Sequence, residues 1–301
     1  MRLASYRTPG AFAGEPGRGE RLGVVIDDRV VPTAELTDGG LATMSDLLAE
    51  MPAGIERLRE AIALALIGPD GGAALDEVEL LAPVPRPGKV ICIGVNYRAH
   101  AQEQGREPPS SPVIFAKFAS AVVGHRATVE WDGGLTQAVD AEAELGVIIG
   151  RTCRDVSREV ALDHVLGYTC FNDVSARDLQ YADKQFTRSK SLDTFGPMGP
   201  LLVTPDEVGD PQDLELRGYV NGELRQSSST GDMVFGVAEL IEFCSRSFTL
   251  EPGDVIATGT PSGVGWFRQP KVMLGDGDEM VVEIETIGRL INSCRVGGTG
   301  S

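Results

Sequence analysis

The chain has 301 residues, enough for one large domain with a small companion and a well-buried core. Hydrophobic residues make up 42% and charged residues 24%, the ordinary balance of a soluble globular protein. The formal net charge is −17 with Lys and Arg scattered, so there is no basic stripe for nucleic acid or an anionic membrane surface.

No apolar stretch is long enough to span a bilayer, and the N-terminus lacks a signal peptide's hydrophobic core, which points to a cytoplasmic protein. Along the first 82 residues, Arg21–Val31 alternates around Asp27-Asp28, the pattern of a short hairpin. Met44–Met51 and Ile55–Leu66 carry apolar residues at helical spacing, and Gly68-Pro69-Asp70-Gly71-Gly72 stops the second run. No reactive side chains cluster there, so residues 1–82 read as a small structural α+β domain. Pro83-Val84-Pro85-Arg86-Pro87-Gly88 is the linker to a second domain, 83–301.

The second domain is strand-rich. Lys89–Val95, Pro112–Lys117, Ala143–Ile149, Val165–Phe171, Leu201–Thr204, Leu214–Val220, Asp254–Thr258 and Glu279–Ile287 read as strands. Turn signals such as Asn221-Gly222 separate them, and Arg158–Val165 and Val237–Ser245 are the clearest helices. The fold class is therefore α+β, mainly β, with a mixed and largely antiparallel sheet architecture. Cys92, Cys153, Cys170, Cys244 and Cys294 form no CxxC pair and read as buried free thiols.

Two segments carry chemical signals. In Asp140-Ala141-Glu142-Ala143-Glu144-Leu145, strand alternation puts Glu142 and Glu144 on one face, where their repulsion needs water or a cation. The alternative is a solvent-exposed strand face. Gly167–Phe171 delivers Asn172-Asp173 at a strand end, and Glu142, Glu144 and Asp173 together make a hard oxygen site suited to magnesium. Nearer the linker, Asn96 is a plausible cap for a helical turn that brings His100 and Glu103 to one face, the arrangement of a general base. Gly105–Pro112 then reads as a mobile loop able to close over substrate. His125 and His164 have no convincing partner and read as structural.

Blocks in one order resemble the fumarylacetoacetate hydrolase family, in its bacterial type with a small N-terminal domain. They are Lys89–Tyr97, Glu142–Leu145, Asn172–Gln180, Ser189–Pro200, Asp232–Phe235 and Pro252–Gly265. The resemblance covers about Pro83 to Val296 and implies that family's mixed β-sandwich or β-roll catalytic domain. It also implies Glu142, Glu144 and Asp173 as ligands for Mg2+, with Mn2+ or Ca2+ as substitutes. His100 and Glu103 match the dyad that activates water, and Lys190 a lysine near the reacting carbonyl. Arg177, Gln180, Gly259 and Thr260 match substrate-binding positions, and a homodimer is implied as well. Arg177 and Asp178 could instead form a structural ion pair, and Thr258–Pro261 be only a tight turn.

The expected activity is metal-dependent hydrolysis of a carbon–carbon bond in a small acylpyruvate-type 2-oxo acid. The alternatives are decarboxylation of oxaloacetate-like acids, isomerisation of hydroxydienedioate-like acids, and an inactive metal-binding protein.

Overall fold

A computed structural model describes residues 1–8, 19–65 and 71–298. Its spine is a 12-stranded sheet. The central order is Arg2–Arg7, Gly196–Val203, Val165–Asn172, Ala143–Ile149, Val255–Ala257, Val90–Gly94 and Val113–Lys117. Most neighbours are antiparallel; Val255–Ala257 and Val90–Gly94 run parallel. A five-stranded sheet follows the order Glu223–Ser229, Glu215–Val220, Glu279–Ile284, Gly288–Gly297 and Thr128–Asp132. Both sheets and the few helices agree with an α+β, mainly β fold.

Strand parity explains the layers. Leu145, Val147 and Ile149 join Leu216, Val282 and Ile284 of the second sheet, with Val237, Leu240 and Ile241 of the helix Val237–Ser247, in one core. Ile148, on the opposite face, joins Leu41, Met44, Leu47 and Leu58 of the N-terminal segment. The central strand is thus buried on both faces along its whole length.

The predicted hairpin forms between Arg21–Ile26 and Arg29–Pro32. Asp27 and Asp28 adopt φ of 47° and 60°, the left-handed pair a two-residue hairpin turn requires. The helices Met44–Ala49 and Ala53–Leu64 also form, the first closed by a capping box between Thr43 and Asp46. Of the stop sequence after them, residues 68–70 lie outside the described residues. Arg2–Arg7 pairs with Gly196–Val203, so the N-terminal segment continues the large sheet. The strand expected at Leu201–Thr204 begins earlier, at Gly196, because its Gly and Pro residues look like breakers in sequence but are fully buried between neighbours. Among the described residues, no helix is long and apolar enough to cross a membrane.

Candidate active site and metal centre

The antiparallel register sets Ala143 opposite Asn172, so one strand's beginning meets the other's end. The Asp173 amide donates to Glu142 O (2.9 Å) and the Glu142 amide to Asn172 Oδ1 (3.0 Å). Glu142, Glu144 and Asp173 thereby each bring one oxygen to within 4.8 Å of the others. All three are buried, at 5%, 2% and 0% exposure, which rules out a solvent-exposed strand face.

Three cations are built into the same cluster. Lys190 Nζ lies 2.7 Å from Glu142 Oε2 and 2.6 Å from Asp173 Oδ2. It ends the one-turn helix Thr187–Lys190 and is buried, so it is not the loop lysine its flanking serines suggest. Lys117 Nζ reaches Asp173 Oδ1 at 2.6 Å. Arg177 pairs with Asp140 Oδ2 (2.9 Å) and Glu142 Oε1 (2.6 Å). It does not pair with Asp178, which accepts from Thr136 and the Gln137 amide instead.

Charge is unevenly matched within this cluster. Burial by itself opposes charge on Glu142, but Lys190 and Arg177, with His100, outweigh it and hold the carboxyl well below the usual range. Glu144 goes the other way: burial, then the nearby Asp173 and Glu142, push it well above that range. Among the described residues, the donor bonded to it is neutral, the Gly259 amide at 2.9 Å from Oε2. Among the described residues, Asp140, Glu142 and Asp173 are matched by Lys117, Arg177 and Lys190, while Glu144 has no cation at ion-pair distance to offset its charge when it ionises. An all-oxygen donor set with that deficit fits a divalent cation, and carboxylate oxygens already paired keep lone pairs for it.

His100 reaches the cluster from the short helix Arg98–Glu103, which follows the strand Val90–Gly94. The turn between them holds Val95 at φ 56°, a β-branched residue in left-handed backbone that costs about 1–3 kcal/mol. Asn96 is not the helix cap that its position suggests; Tyr97 takes that place, without a side-chain bond. Asn96 instead is buried and ties the turn down, donating to Phe235 O (3.0 Å) and Thr258 O (2.8 Å) and accepting from Phe235 N (2.9 Å).

His100 Nδ1 meets Glu103 Oε2 at 3.0 Å, and the Gly263 amide donates to Glu103 Oε1 at 2.9 Å. Gln104 Nε2 lies 2.8 Å from His100 Nε2. A carboxylate can only accept, so the bond to Glu103 puts a ring proton on Nδ1, and in the neutral imidazole Nε2 is then the acceptor beside Gln104.

A cavity of about 280 Å³ is lined by His100, Glu142, Glu144, Arg177, Gln180, Lys190 and Thr260, among others. Glu103, Asp173 and Gly259 stand behind its wall, each bonded to a residue that does line it. Thr260 Oγ1 donates to Ala143 O (2.9 Å) and accepts from Gln226 Nε2 (2.7 Å). His125 and His164 lie elsewhere. His125 Nδ1 accepts from the Ile291 amide, and burial lowers its pKa to about 4.

Lys117, Asp140, Gln104 and Gln226 are site residues that sequence reading missed. Lys117 had a faint signal, a lone charge ending the apolar run Val113–Ala116. Asp140 sits two residues from Glu142 but reads as part of the same acidic run. Gln104 and Gln226 carry no signal of their own.

Residues 89–295 match the fumarylacetoacetate (FAA) hydrolase C-terminal family. The oxaloacetate tautomerase YisK of Bacillus subtilis (strain 168) is 50% identical over 222 residues, 73% of this chain and 74% of that protein. The mitochondrial oxaloacetate tautomerase FAHD2B of Bos taurus is 44% identical over 299 residues, 97% of this chain and 91% of that protein. Among solved structures, maleylpyruvate hydrolase from Sphingobium sp. SYK-6, in complex with manganese(II) and pyruvate, superposes with a TM-score of 0.78. It is 35% identical and covers 99% of this chain and 100% of that one. With that family match over residues 89–295 and these identities over most of its length, the chain belongs to the fumarylacetoacetate hydrolase family.

Proposed function

We propose that this enzyme uses a divalent metal to interconvert the enol and keto forms of oxaloacetate-like 2-oxo acids. The carrying observation is the convergence of Glu142, Glu144 and Asp173 beside a cavity of about 280 Å³. The relatedness to two oxaloacetate tautomerases supports this choice of reaction. The cavity lies near the lower end of small-molecule sites, about 300–1,000 Å³, and suits an acid of a few carbons.

Glu142, Glu144 and Asp173 are the residues that would hold Mg2+ or Mn2+, the latter ion being named with pyruvate in the related hydrolase structure. When bound, such an ion polarises the 2-carbonyl and steadies negative charge on its oxygen. Lys190 adds a hydrogen-bond donor to the same oxygen as that charge develops. His100 is the proton carrier. With its ring proton on Nδ1 and held by Glu103, Nε2 is the basic nitrogen; once the acid displaces the Gln104 amide, it takes a proton from C3. In the enol-to-keto direction the protonated ring gives C3 its proton, and the 2-hydroxyl proton returns to solvent. Arg177, Gln180 and Thr260, with Gly259 behind them, orient the acid.

The comparisons lend more support to isomerisation than to the hydrolysis expected from sequence. The test is to follow enol and keto oxaloacetate by NMR with the magnesium-loaded protein, the EDTA-treated protein and an acylpyruvate control. Accelerated interconversion that EDTA abolishes is expected. Pyruvate release from the acylpyruvate at a higher rate would instead favour hydrolysis. A homodimer, a cytoplasmic setting, magnesium as the working metal and the 1–82/83–301 division belong to the same proposal.

A further inference from the structure

Four cations line the cavity: Arg106, Arg177, Lys184 and Lys190. Arg177 and Lys190 are buried and committed to Asp140, Glu142 and Asp173. Arg106 and Lys184 differ. Both are exposed, and among the described residues neither has a carboxylate within the 4.0 Å of an ion pair. Asp183 is engaged by the two-pronged contact of Arg188, and Glu103 by His100 and the Gly263 amide.

The two cations come from elements that also carry the chemistry. Arg106 follows the helix Arg98–Glu103, its amide donating to Ala101 O at 2.9 Å. Lys184 caps the helix Arg177–Asp183 in a left-handed conformation at φ 55°. In a chain of net charge −17, two uncompensated cations on one cavity make a local well for an anion. The walls contributed by Phe115, Phe186 and Phe267 offer no charge. The charged lining of the cavity is thus of two kinds: the carboxylate cluster with the cations committed to it, and Arg106 and Lys184, which have no carboxylate partner among the described residues.

We propose that Arg106 and Lys184 bind the distal carboxylate of the substrate and so select 2-oxo diacids over 2-oxo monoacids. This rests on the reading of the cavity as a 2-oxo acid site. An aliphatic monoacid would leave both cations without a partner, while the second carboxylate of a diacid supplies one.

Oxaloacetate and 2-oxobutanoate test it, because they differ only in a terminal carboxylate against a methyl group. Their affinities for the magnesium-loaded full chain are compared by calorimetry in the parent, Arg106→Ala, Lys184→Ala and the double variant, with folding checked by circular dichroism. The parent is expected to prefer oxaloacetate. The preference ratio should fall about fivefold in each single variant, as loss of a partly exposed ion pair implies, and further in the double variant. Arg106→Lys should keep most of it. A parent without preference, or a double variant that keeps the parental ratio, overturns the proposal. Enol–keto interconversion of oxaloacetate is measured on the same samples. A falling ratio in an inactive protein retains the diacid site and discards the reaction; a constant ratio in an active one does the reverse.

Discussion

Lys117 and Asp173 form an ion pair, Nζ to Oδ1 at 2.6 Å, in which neither side chain is exposed at all. The lysine also donates to Val174 O at 3.1 Å, so it fixes the strand end that presents Asp173. Removing one partner of a buried pair leaves the other uncompensated. Lys117→Met should lower stability by about 3 kcal/mol in EDTA, measured by urea unfolding. Saturating magnesium should recover part of this, since a cation replaces charge at the same carboxylate and binds only the folded chain. No loss in EDTA would mean that Lys190 alone satisfies Asp173.

Glu144 and Glu142 should respond oppositely to pH in the metal-free protein. Burial and the neighbouring Asp173 and Glu142 raise Glu144's pKa, so its folded form favours the neutral acid. That contribution to stability is complete below the unfolded value, about 4.3, and is lost as pH rises through the folded value. Glu144→Gln should therefore stabilise the metal-free protein near neutral pH, with the gain vanishing near pH 4. Glu142, held low by Lys190 and Arg177 against its own burial, contributes stability above about 4.3 that is lost in stronger acid. Thermal unfolding across pH reads both. The Glu144→Gln protein should also lose magnesium binding, and calorimetry showing parental affinity would remove Glu144 from the ligand set.

His100→Ala should bind metal normally and lose enol–keto interconversion by about two to four orders of magnitude, the range for a general acid–base group. Glu103→Gln should lose less, since the imidazole stays while its orientation and basicity suffer. Gln104→Ala frees Nε2 and is expected to keep or raise the rate. A tenfold fall in that variant would make Gln104 a participant in the reaction.

Asn96 makes three hydrogen bonds from a fully buried position. Asn96→Ala should cost about 2–4 kcal/mol, because backbone groups of Phe235 and Thr258 are left unpaired inside the protein. Urea unfolding measures it; a cost under 1 kcal/mol would mean that water fills the gap.

The five thiols are all buried and free. Burial pushes those of Cys170, Cys244 and Cys294 up to about 12, and Cys92 well above its usual value. Reaction with a thiol reagent at pH 8 should be slow in the native protein and reach five equivalents in denaturant. A thiol reacting within seconds in the native state would expose one of them to solvent.

Sequence alone determined the local features. Alternation set Glu142 and Glu144 on one face, the three-residue step joined His100 to Glu103, and the Asp27-Asp28 hairpin followed from its flanking strands. These depend only on backbone period, which residue order states directly. Tertiary structure alone decided the partners. Lys117 meets Asp173 across 56 residues, Arg177 meets Asp140 across 37, and Asn96 reaches Phe235 across 139. Such contacts depend on which strands become neighbours, and nothing in the isolated segments records that choice. Asn96 illustrates the limit: its position promised a helix cap, but the sheet brought Phe235 and Thr258 within reach, and three bonds to buried backbone outweigh one local bond. The same convergence of distant strands leaves Glu144, among the described residues, without a cation at ion-pair distance, an uncompensated carboxylate that fits a metal.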